Sequence, residues 1–190
     1  MDNAELKALL ESHHRECYGW ALSCCSRNPG QAETVLQTVY LKILQGLARF
    51  DGKSAFKTWL FAVIRRTAAD NRRRRILRSL RLITFDDSTA EMAGANTADD
   101  SIYQSELQIL FQQALTALPR RQREVLQLVF YHDLTLADAA EVMQVSIGSA
   151  RTHYDRGKKR IREWLTKAKV FDESEFEHRI RRKEHPEIVR

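Results

Sequence analysis

The side chains with the clearest chemical use lie between Ser149 and Lys159, where hydroxyl and cationic groups recur at helical spacing. At about 100° per residue, one helix face carries Ser149, Thr152, Asp155, Arg156 and Lys159. One flank of this face carries Arg151 and Lys158, and the other flank carries His153 and Arg160. Hydroxyl groups and arginine can reach base edges in a DNA major groove, while lysine neutralises phosphates. Because charged helix faces are often only solvated, the preceding segment must decide between the two interpretations.

That preceding segment has the pattern of a helix-turn-helix. Leu136, Ala139, Ala140 and Met143 recur at i, i+3, i+4 and i+7, which predicts one buried face of a short helix. Two residues, 144 and 145, then leave room only for a tight turn before Ser146, a good N-cap. The second helix carries an apolar stripe opposite its polar face: Ile147, Ala150, Tyr154, Ile161 and Trp164. The sequence therefore predicts sequence-specific DNA reading.

A second cationic cluster lies in the N-terminal half of the chain. Between Arg65 and Arg81 there are eight arginines against a single acidic residue, Asp70. The segment from Thr84 to Glu106 is the reverse, with six acidic residues and no basic one. The net charge of +6 is therefore concentrated in two patches on either side of an acidic connector. Concentrated positive charge favours an anionic partner such as nucleic acid.

Helical periodicity extends over most of the remaining chain. Apolar stripes predict helices over residues 6–24, 31–48 and 56–75, and again over 103–118, 120–131, 136–143 and 146–169. No convincing strand is predicted. We expect an all-α fold of two small bundles, residues 1–83 and 102–169, joined by a flexible acidic linker at 84–101. Residues 170–190 are predicted to form a tail of unknown role.

Composition and motifs exclude several classes of function. No apolar run approaches the length of a membrane span and the N-terminus has no signal-peptide pattern, so we expect a cytoplasmic protein without membrane insertion. Neither a phosphate loop nor paired carboxylates are found, so no enzyme and no cofactor is predicted. His132-Asp133 is the nearest approach to a catalytic pair, but it lies in a predicted turn, where polar residues are normally solvated.

The cysteines also favour a structural role. Cys17, Cys24 and Cys25 contain no C-x-x-C motif, so a disulfide framework is not expected. His13, Cys17 and Cys24 could share a helix face and hold a metal, yet no fourth ligand is evident. Buried cysteines on a helix are far more often core residues, and we predict no metal.

Two motifs resemble the extracytoplasmic-function (ECF) group of bacterial sigma factors. RFDGKSAFKTWL, from Arg49 to Leu60, is similar to that family's region 2 signature. LPRRQREV, from Leu118 to Val125, is similar to the start of its region 4. The resemblance covers roughly residues 5 to 166. It implies a promoter-specificity subunit that has no catalytic site and directs transcription initiation only when bound to core RNA polymerase.

The resemblance also implies partners and contact residues. Region 2 would dock on the clamp helices of the largest polymerase subunit near Val39, Tyr40 and Lys42, region 4 would meet the flap of the second largest subunit, and an anti-sigma factor is a possible partner. Candidates for the promoter minus-ten element are Lys53, Ser54, Lys57, Arg65, Arg66, Asn71, Arg72 and Arg73. Candidates for the minus-35 element are Arg120, Arg121, Ser149, Arg151, Thr152, His153, Arg156 and Lys159.

Some positions depart from the family pattern, and an alternative function stays open. Gln144 stands where glycine is frequent, which suggests a slightly different turn. Asp155 would face DNA phosphates unless it pairs with Arg151 or Lys159. The alternative to a sigma subunit is a polymerase-independent helix-turn-helix regulator whose N-terminal bundle senses a ligand or dimerises. Such a regulator usually needs a dimer, and the sequence shows no long heptad seam.

Overall fold

A computed structural model describes residues 3–82 and 113–167 of the 190-residue chain. Within these two ranges the regular structure is helical, without a strand. We refer to residues 3–82 as the N-terminal module and to residues 113–167 as the C-terminal module. The predicted linker at 84–101, the tail at 170–190 and most of the helix predicted over 103–118 lie outside the described residues. No helix in the described ranges is long and apolar enough to cross a membrane.

Four helices build the N-terminal module: α1 (Asn3–Ser12), α2 (His14–Cys24), α3 (Pro29–Leu44) and α4 (Phe56–Leu82). The single helix predicted over residues 6–24 is therefore two, because His13 leaves helical geometry at φ −97° and ψ 0°. The backbone bonds from His13 N to Leu9 O and from Cys17 N to His13 O still bridge this break. The apolar stripe thus continues across it.

Helix α3 begins earlier and ends earlier than its pattern predicts. Asn28 adopts an extended conformation and its side chain accepts a hydrogen bond from Gln31 N, while Pro29 fills the first helical position. Asn28 and Pro29 therefore start α3 two residues before the predicted Gln31. The helix ends at Leu44, and Gly46 follows with φ +71°, a conformation that glycine adopts without strain.

The core of the N-terminal module surrounds an indole ring. Trp20 is fully buried, donates from Nε1 to the carbonyl of Phe61 at 3.0 Å and stacks on the Phe61 ring. Leu60 and Ile64 on α4 and Val35 on α3 are buried in the same hydrophobic cluster. A buried indole needs a partner for its N–H, and the Phe61 carbonyl supplies it.

The C-terminal module is a helix-turn-helix supported by a preceding helix. Its helices are α5 (Arg120–Phe130), α6 (Leu136–Met143) and α7 (Ile147–Lys167), preceded by a short helical stretch at residues 113–116. The helix over 136–143 is confirmed residue for residue, and Ser146 accepts from Ser149 N at the start of α7. Gln144 adopts φ +54° and ψ +51°. This is the left-handed conformation that glycine favours, so the expectation of a different turn was wrong.

Thr135 fixes the start of α6 through a reciprocal pair of hydrogen bonds with Asp138. The Thr135 hydroxyl accepts from Asp138 N, and Thr135 N donates to the Asp138 carboxylate. We expect Thr135→Ala to lower the free energy of unfolding by about 1 kcal/mol, since a lost N-cap leaves a helix donor unpaired. Urea unfolding followed by far-UV circular dichroism measures this loss. Thr166→Ala, on the exposed end of α7, should change stability by less than about 0.5 kcal/mol.

Candidate nucleic-acid interface

The polar face of α7 is presented to solvent as the sequence predicts. Its exposed members are Ser149, Arg151, Thr152, Arg156 and Lys159, and His153 is half-buried. The opposite stripe is buried at Ala150, Tyr154 and Ile161, whereas Trp164 is half-buried and Ile147, which was predicted to lie on the same stripe, is exposed. Thr152 donates its hydroxyl to the carbonyl of Gly148, and Ser149 shares a hydroxyl contact with Ser146. The face is thus a ridge of cations and hydroxyls on a packed helix, a shape that fits a major groove.

Close packing against α5 fixes the orientation of this ridge. Gly157 faces α5 so closely that a Cβ at this position would lie 2.8 Å from Leu126 Cδ1. Asp155 is exposed, and the ion pair that we predicted with Arg151 or Lys159 is not formed within the described part of the chain. The carboxylate of Asp155 therefore stays in water on the same face as the cations.

Arg120 and Arg121, predicted to contact the minus-35 element, are both bound to Glu124. Arg120 Nε donates to Glu124 Oε1 at 2.8 Å, and Arg121 Nη1 lies 3.4 Å from Glu124 Oε2. Arg121 also donates to the carbonyl of Met143, which ties α5 to the end of α6. Both guanidinium groups keep partial solvent access, and both support the helix-turn-helix from within.

A second cationic surface lies on α4 and the loop before it. Arg66, Arg72 and Arg73 are exposed along α4, with Asn71 half-buried beside them. In the loop, Gly52 has φ +74°, Lys53 pairs with Asp51 at 2.8 Å, and Ser54 is half-buried. The exposed arginines lie on the helix that follows the loop, and both groups of side chains can meet a phosphate backbone.

An aromatic cluster supports that loop. The sequence pattern did not indicate this cluster. Phe50, Phe56 and Trp59 contact one another with ring centroids 5.4 to 5.5 Å apart. All three are packed at the loop rather than fully buried. Half-buried aromatic rings beside a cationic loop are the side chains on which unstacked bases can rest.

Two of the predicted minus-ten residues are not free to contact DNA in this structure. Lys57 Nζ pairs with Glu16 at 2.8 Å and lies over the Phe61 ring. Arg65 is only 11% exposed at its side chain and donates from Nε and Nη2 to Glu124 Oε2. Lys57 thus binds within its own module, whereas Arg65 binds the C-terminal module.

The residues proposed for polymerase contact need a correction. Val39 has 0% exposure and belongs to the core of α3, so it cannot form a surface contact. The Tyr40 hydroxyl lies 3.0 Å from His14 Nδ1, and Lys42 Nζ lies 3.4 Å from the Thr67 hydroxyl. The large exposed apolar side chains of this region are Leu41, Leu44 and Leu47. Leu44 and Leu47 continue the apolar spacing of the helix predicted over residues 31–48, but they are exposed.

The two modules are in direct contact through three sets of groups, which we call the module interface. Arg65 on α4 pairs with Glu124 on α5 at 3.2 Å, and the Thr58 hydroxyl donates to Asp138 Oδ1 at 3.2 Å. His132 is the third element of the interface. It makes edge contacts with Phe61 at 4.8 Å and with Trp20 at 5.8 Å between ring centroids.

The placement of His132 contradicts its interpretation as a solvated turn residue. It is buried, and this burial, with the nearby Lys57 ammonium, lowers the pKa of His132 to about 4. Glu16 and Asp133 oppose that shift only partly. The imidazole is therefore neutral at neutral pH, which suits a position between two aromatic rings.

The cysteines are free thiols. Cys17 and Cys25 are buried and Cys24 is half-buried. Burial raises the pKa of the Cys17 thiol to about 12, so it is protonated at neutral pH. Across residues 3–82 and 113–167, no group of three or more histidine, cysteine or acidic side chains is arranged to hold a metal ion.

The fold and its two cationic surfaces define a class: a modular all-helical protein with a C-terminal DNA-reading helix-turn-helix. Comparison with known families specifies it further. Residues 9–76 match the family model for sigma-70 region 2, and residues 108–161 match the model for sigma-70 region 4. The two matches together span well over half of the chain. The chain belongs to the sigma-70 family and is an alternative sigma factor of the ECF group, the class that directs transcription initiation.

Individual relatives agree with this assignment. The chain is 29% identical over 176 residues to the ECF RNA polymerase sigma factor SigX of Bacillus subtilis, covering 90% of each chain. It is 24% identical over 151 residues to SigW of the same organism, covering 73% of this chain and 77% of SigW. Among solved structures, the sigma factor RpoE in complex with the anti-sigma factor NepR from Bartonella quintana has a similar fold. The TM-score is 0.65 at 23% identity, covering 85% of this chain and 97% of that chain.

Proposed function

We propose that this sigma factor binds core RNA polymerase and brings it to promoters by reading two separate DNA elements. The N-terminal domain, proposed to span residues 1–83 and so to include the N-terminal module, would take the minus-ten element. The C-terminal domain, proposed to span residues 102–169 and so to include the C-terminal module, would take the minus-35 element. The observation that carries this proposal is that each module has its own cationic surface, and only the surface on α7 has the form of a major-groove helix. The chain itself would carry no catalytic site and would act in the cytoplasm.

The two surfaces would have different tasks. On α7, Arg151, Thr152 and Arg156 would read base edges, while Lys159, Ser149 and His153 would help to hold the backbone. On the N-terminal module, Lys53 and Ser54 in the loop and the α4 residues Arg66, Asn71, Arg72 and Arg73 would hold a single strand. The aromatic cluster of Phe50, Phe56 and Trp59 gives unstacked bases an adjoining apolar surface.

Polymerase would dock on the exposed apolar end of α3. Leu41, Leu44 and Leu47 are large, apolar and exposed, whereas a solvated helix would normally carry polar residues there. Tyr40 and Lys42 border this patch, and the clamp helices of the largest subunit are the proposed partner. The flap of the second largest subunit would take the C-terminal module. Because the sigma factor RpoE forms a complex with the anti-sigma factor NepR, a partner of the anti-sigma type is proposed here as well.

The test is binding of the purified chain to core RNA polymerase, followed by transcription from a genomic fragment library. We expect a stable one-to-one complex that starts transcripts downstream of a shared pair of sequence motifs. A chain that ignored polymerase but shifted duplex DNA alone would instead be a polymerase-independent regulator with an N-terminal sensor or dimerisation bundle.

Substitutions on α7 should separate base reading from backbone binding. We expect Arg151→Ala to cost about 1–3 kcal/mol on the preferred duplex and to remove the preference at one base position. Lys159→Ala should weaken all duplexes alike and reduce the slope of log K against log salt by about 1. Fluorescence anisotropy on the selected motif and on single-base variants measures both effects. Equal losses on every sequence for Arg151→Ala would remove it from the base-reading set.

A further inference from the structure

We propose that the N-terminal module has a further binding site, a cavity between α3 and α4 that takes a small molecule with two or more phosphate groups on an apolar body, such as a nucleoside diphosphate. The cavity has a volume of about 350 Å³. This volume is in the range of small-molecule sites, about 300–1,000 Å³. The site goes beyond the proposed function, because neither polymerase binding nor promoter binding requires it.

One wall of the cavity is formed by cationic side chains of α4. They are spaced i, i+3, i+4 and i+7 and so share one helix face: Asn71, Arg74, Arg75 and Arg78. Arg72 also lines the cavity. At about 100° per residue, Arg66 and Arg73 lie roughly 120–140° further around α4 than Arg78. The cavity therefore has guanidinium groups of its own, and it shares only Asn71 and Arg72 with the minus-ten candidates.

The described part of the chain does not balance the charge of this wall. No aspartate or glutamate is among the described lining residues, and within residues 3–82 and 113–167 Arg74, Arg75 and Arg78 form no ion pair. Burial raises the pKa of the Cys25 thiol, and the charge of Arg75 opposes that shift, so this guanidinium group lies near the cavity. Arginine groups without carboxylates favour an anion, and their planar forks bind phosphate oxygens in pairs.

The opposite wall, on α3, offers hydrogen-bond acceptors. The Thr34 hydroxyl donates to the carbonyl of Gly30 at 2.8 Å, and the Thr38 hydroxyl donates to the carbonyl of Thr34 at 2.7 Å. Because each hydroxyl proton is used within the helix, both oxygen atoms are left as acceptors. Acceptors suit the hydroxyl groups of a sugar, which can donate, better than they suit an ionised phosphate. The phosphates would therefore lie against α4 and the sugar against α3.

The deepest lining residues of the cavity are apolar. Val35 on α3 and Ala68 on α4 are buried, and Cys24 and Cys25 at the end of α2 lie beside them. Apolar side chains with a few polar groups around them are typical of sites that hold a flat or apolar ligand group. The cationic wall, the acceptor wall and the apolar floor thus match the phosphates, the sugar and the base of a nucleotide.

Two pairs of variants of the full chain test the site. Arg75→Gln removes one charge from the cationic wall. Arg15→Gln is its control, because Arg15 is exposed on α2 and lies about 14 Å along the helix from Cys24. Thr34→Phe fills the mouth of the cavity without changing the charge, at a position that is exposed. Gln37→Phe is its control, since Gln37 is exposed on the same helix and does not line the cavity.

Each variant is first shown by circular dichroism to keep its helix content. Isothermal titration calorimetry then measures the binding of ADP and of adenosine, and fluorescence anisotropy measures the binding of a short oligothymidine. We expect the wild type to bind one ADP with a Kd below about 1 mM and not to bind adenosine. Arg75→Gln and Thr34→Phe should weaken ADP binding about tenfold or more, because a charge-assisted hydrogen bond or the space itself is lost. Both controls should stay within about twofold of the wild type.

The proposal is overturned if the wild type shows no saturable ADP binding or binds ADP and adenosine equally. Folded Arg75→Gln and Thr34→Phe variants that bind ADP as well as their controls would overturn it too. If Thr34→Phe weakened oligothymidine binding as much as ADP binding, the cavity would be part of the minus-ten surface and not a separate site. The two pairs alter opposite walls, so one folded pair is sufficient. All of these assays use the free chain, and failure to bind core RNA polymerase would contradict only the proposed function.

Discussion

Gly157→Val should unfold much of the C-terminal module and abolish duplex binding through α7. A Cβ at this position would lie 2.8 Å from Leu126 Cδ1 and 3.3 Å from Gln122 Cβ, and valine adds two further methyl groups. Leu126 is buried in the core, so it has little room to move. We expect a loss of about 3 kcal/mol in the free energy of unfolding, the upper end of the range for overpacked cores.

Gly148→Val is the matched control on the same helix. A Cβ on Gly148 meets no atom within 4 Å, and valine has a slightly better helix propensity than glycine. Its stability should therefore stay equal to that of the wild type or rise by a few tenths of a kcal/mol. Urea unfolding followed at 222 nm compares the two variants. Equal stabilities at positions 148 and 157 would mean that α5 and α7 do not pack as described.

Trp20→Ala should be the most destabilising single change in the N-terminal module. The substitution removes a fully buried ring, its stacking on Phe61 and the bond from Nε1 to the Phe61 carbonyl. We expect a loss of about 3–5 kcal/mol, as is usual for truncation of a buried aromatic ring. Because small domains are stable by only about 5–15 kcal/mol, this loss is a large fraction of the stability, and binding of core polymerase should weaken at 37 °C.

Two further variants identify the cause of that loss. Trp20→Phe keeps a ring but lacks the N–H, so it should cost less than Trp20→Ala and leave the Phe61 carbonyl without its donor. Trp164→Ala removes an indole that is only half-buried at the end of α7, and it should cost less than half as much as Trp20→Ala. If Trp20→Ala lowered the free energy of unfolding by less than about 1 kcal/mol, Trp20 would not be central to the packing of this core.

Local sequence rules sufficed for the helix-turn-helix. Its first helix begins at the cap pair of Thr135 and Asp138, and its second helix begins at Ser146. Each capping residue bonds to a partner only three positions away in sequence. The apolar spacing from Leu136 to Met143 then determines which face is buried. Such features depend on neighbours in sequence, so periodicity and capping preferences predict them well.

Periodicity failed where burial depends on distant partners. Leu44 and Leu47 continue the spacing of the α3 stripe but have no helix to cover them, whereas Val39 on the same stripe is fully buried. A stripe predicts which residues share a face, and only the tertiary structure decides how far along the helix that face is covered.

The module interface could not be predicted at all from local pattern. Glu124 looks like one acid among arginines on a surface helix, and His132 looks like a turn residue. Their partners are 59 and at least 71 residues away in sequence, and the partner of Asp138 is 80 residues away. A polar residue that is buried by a distant element carries no local signature, because its own neighbours have the composition of a loop or an exposed helix.

The Glu124 carboxylate at the module interface also limits how this chain could recombine with its relatives. Suppose a chimera joined this N-terminal half to a C-terminal half with an uncharged residue in place of Glu124. Arg65 would then face the counterparts of Arg120 and Arg121 without compensation, and the halves would repel each other. The contact between the two halves would then be lost. The two halves are therefore expected to be inherited as a matched pair.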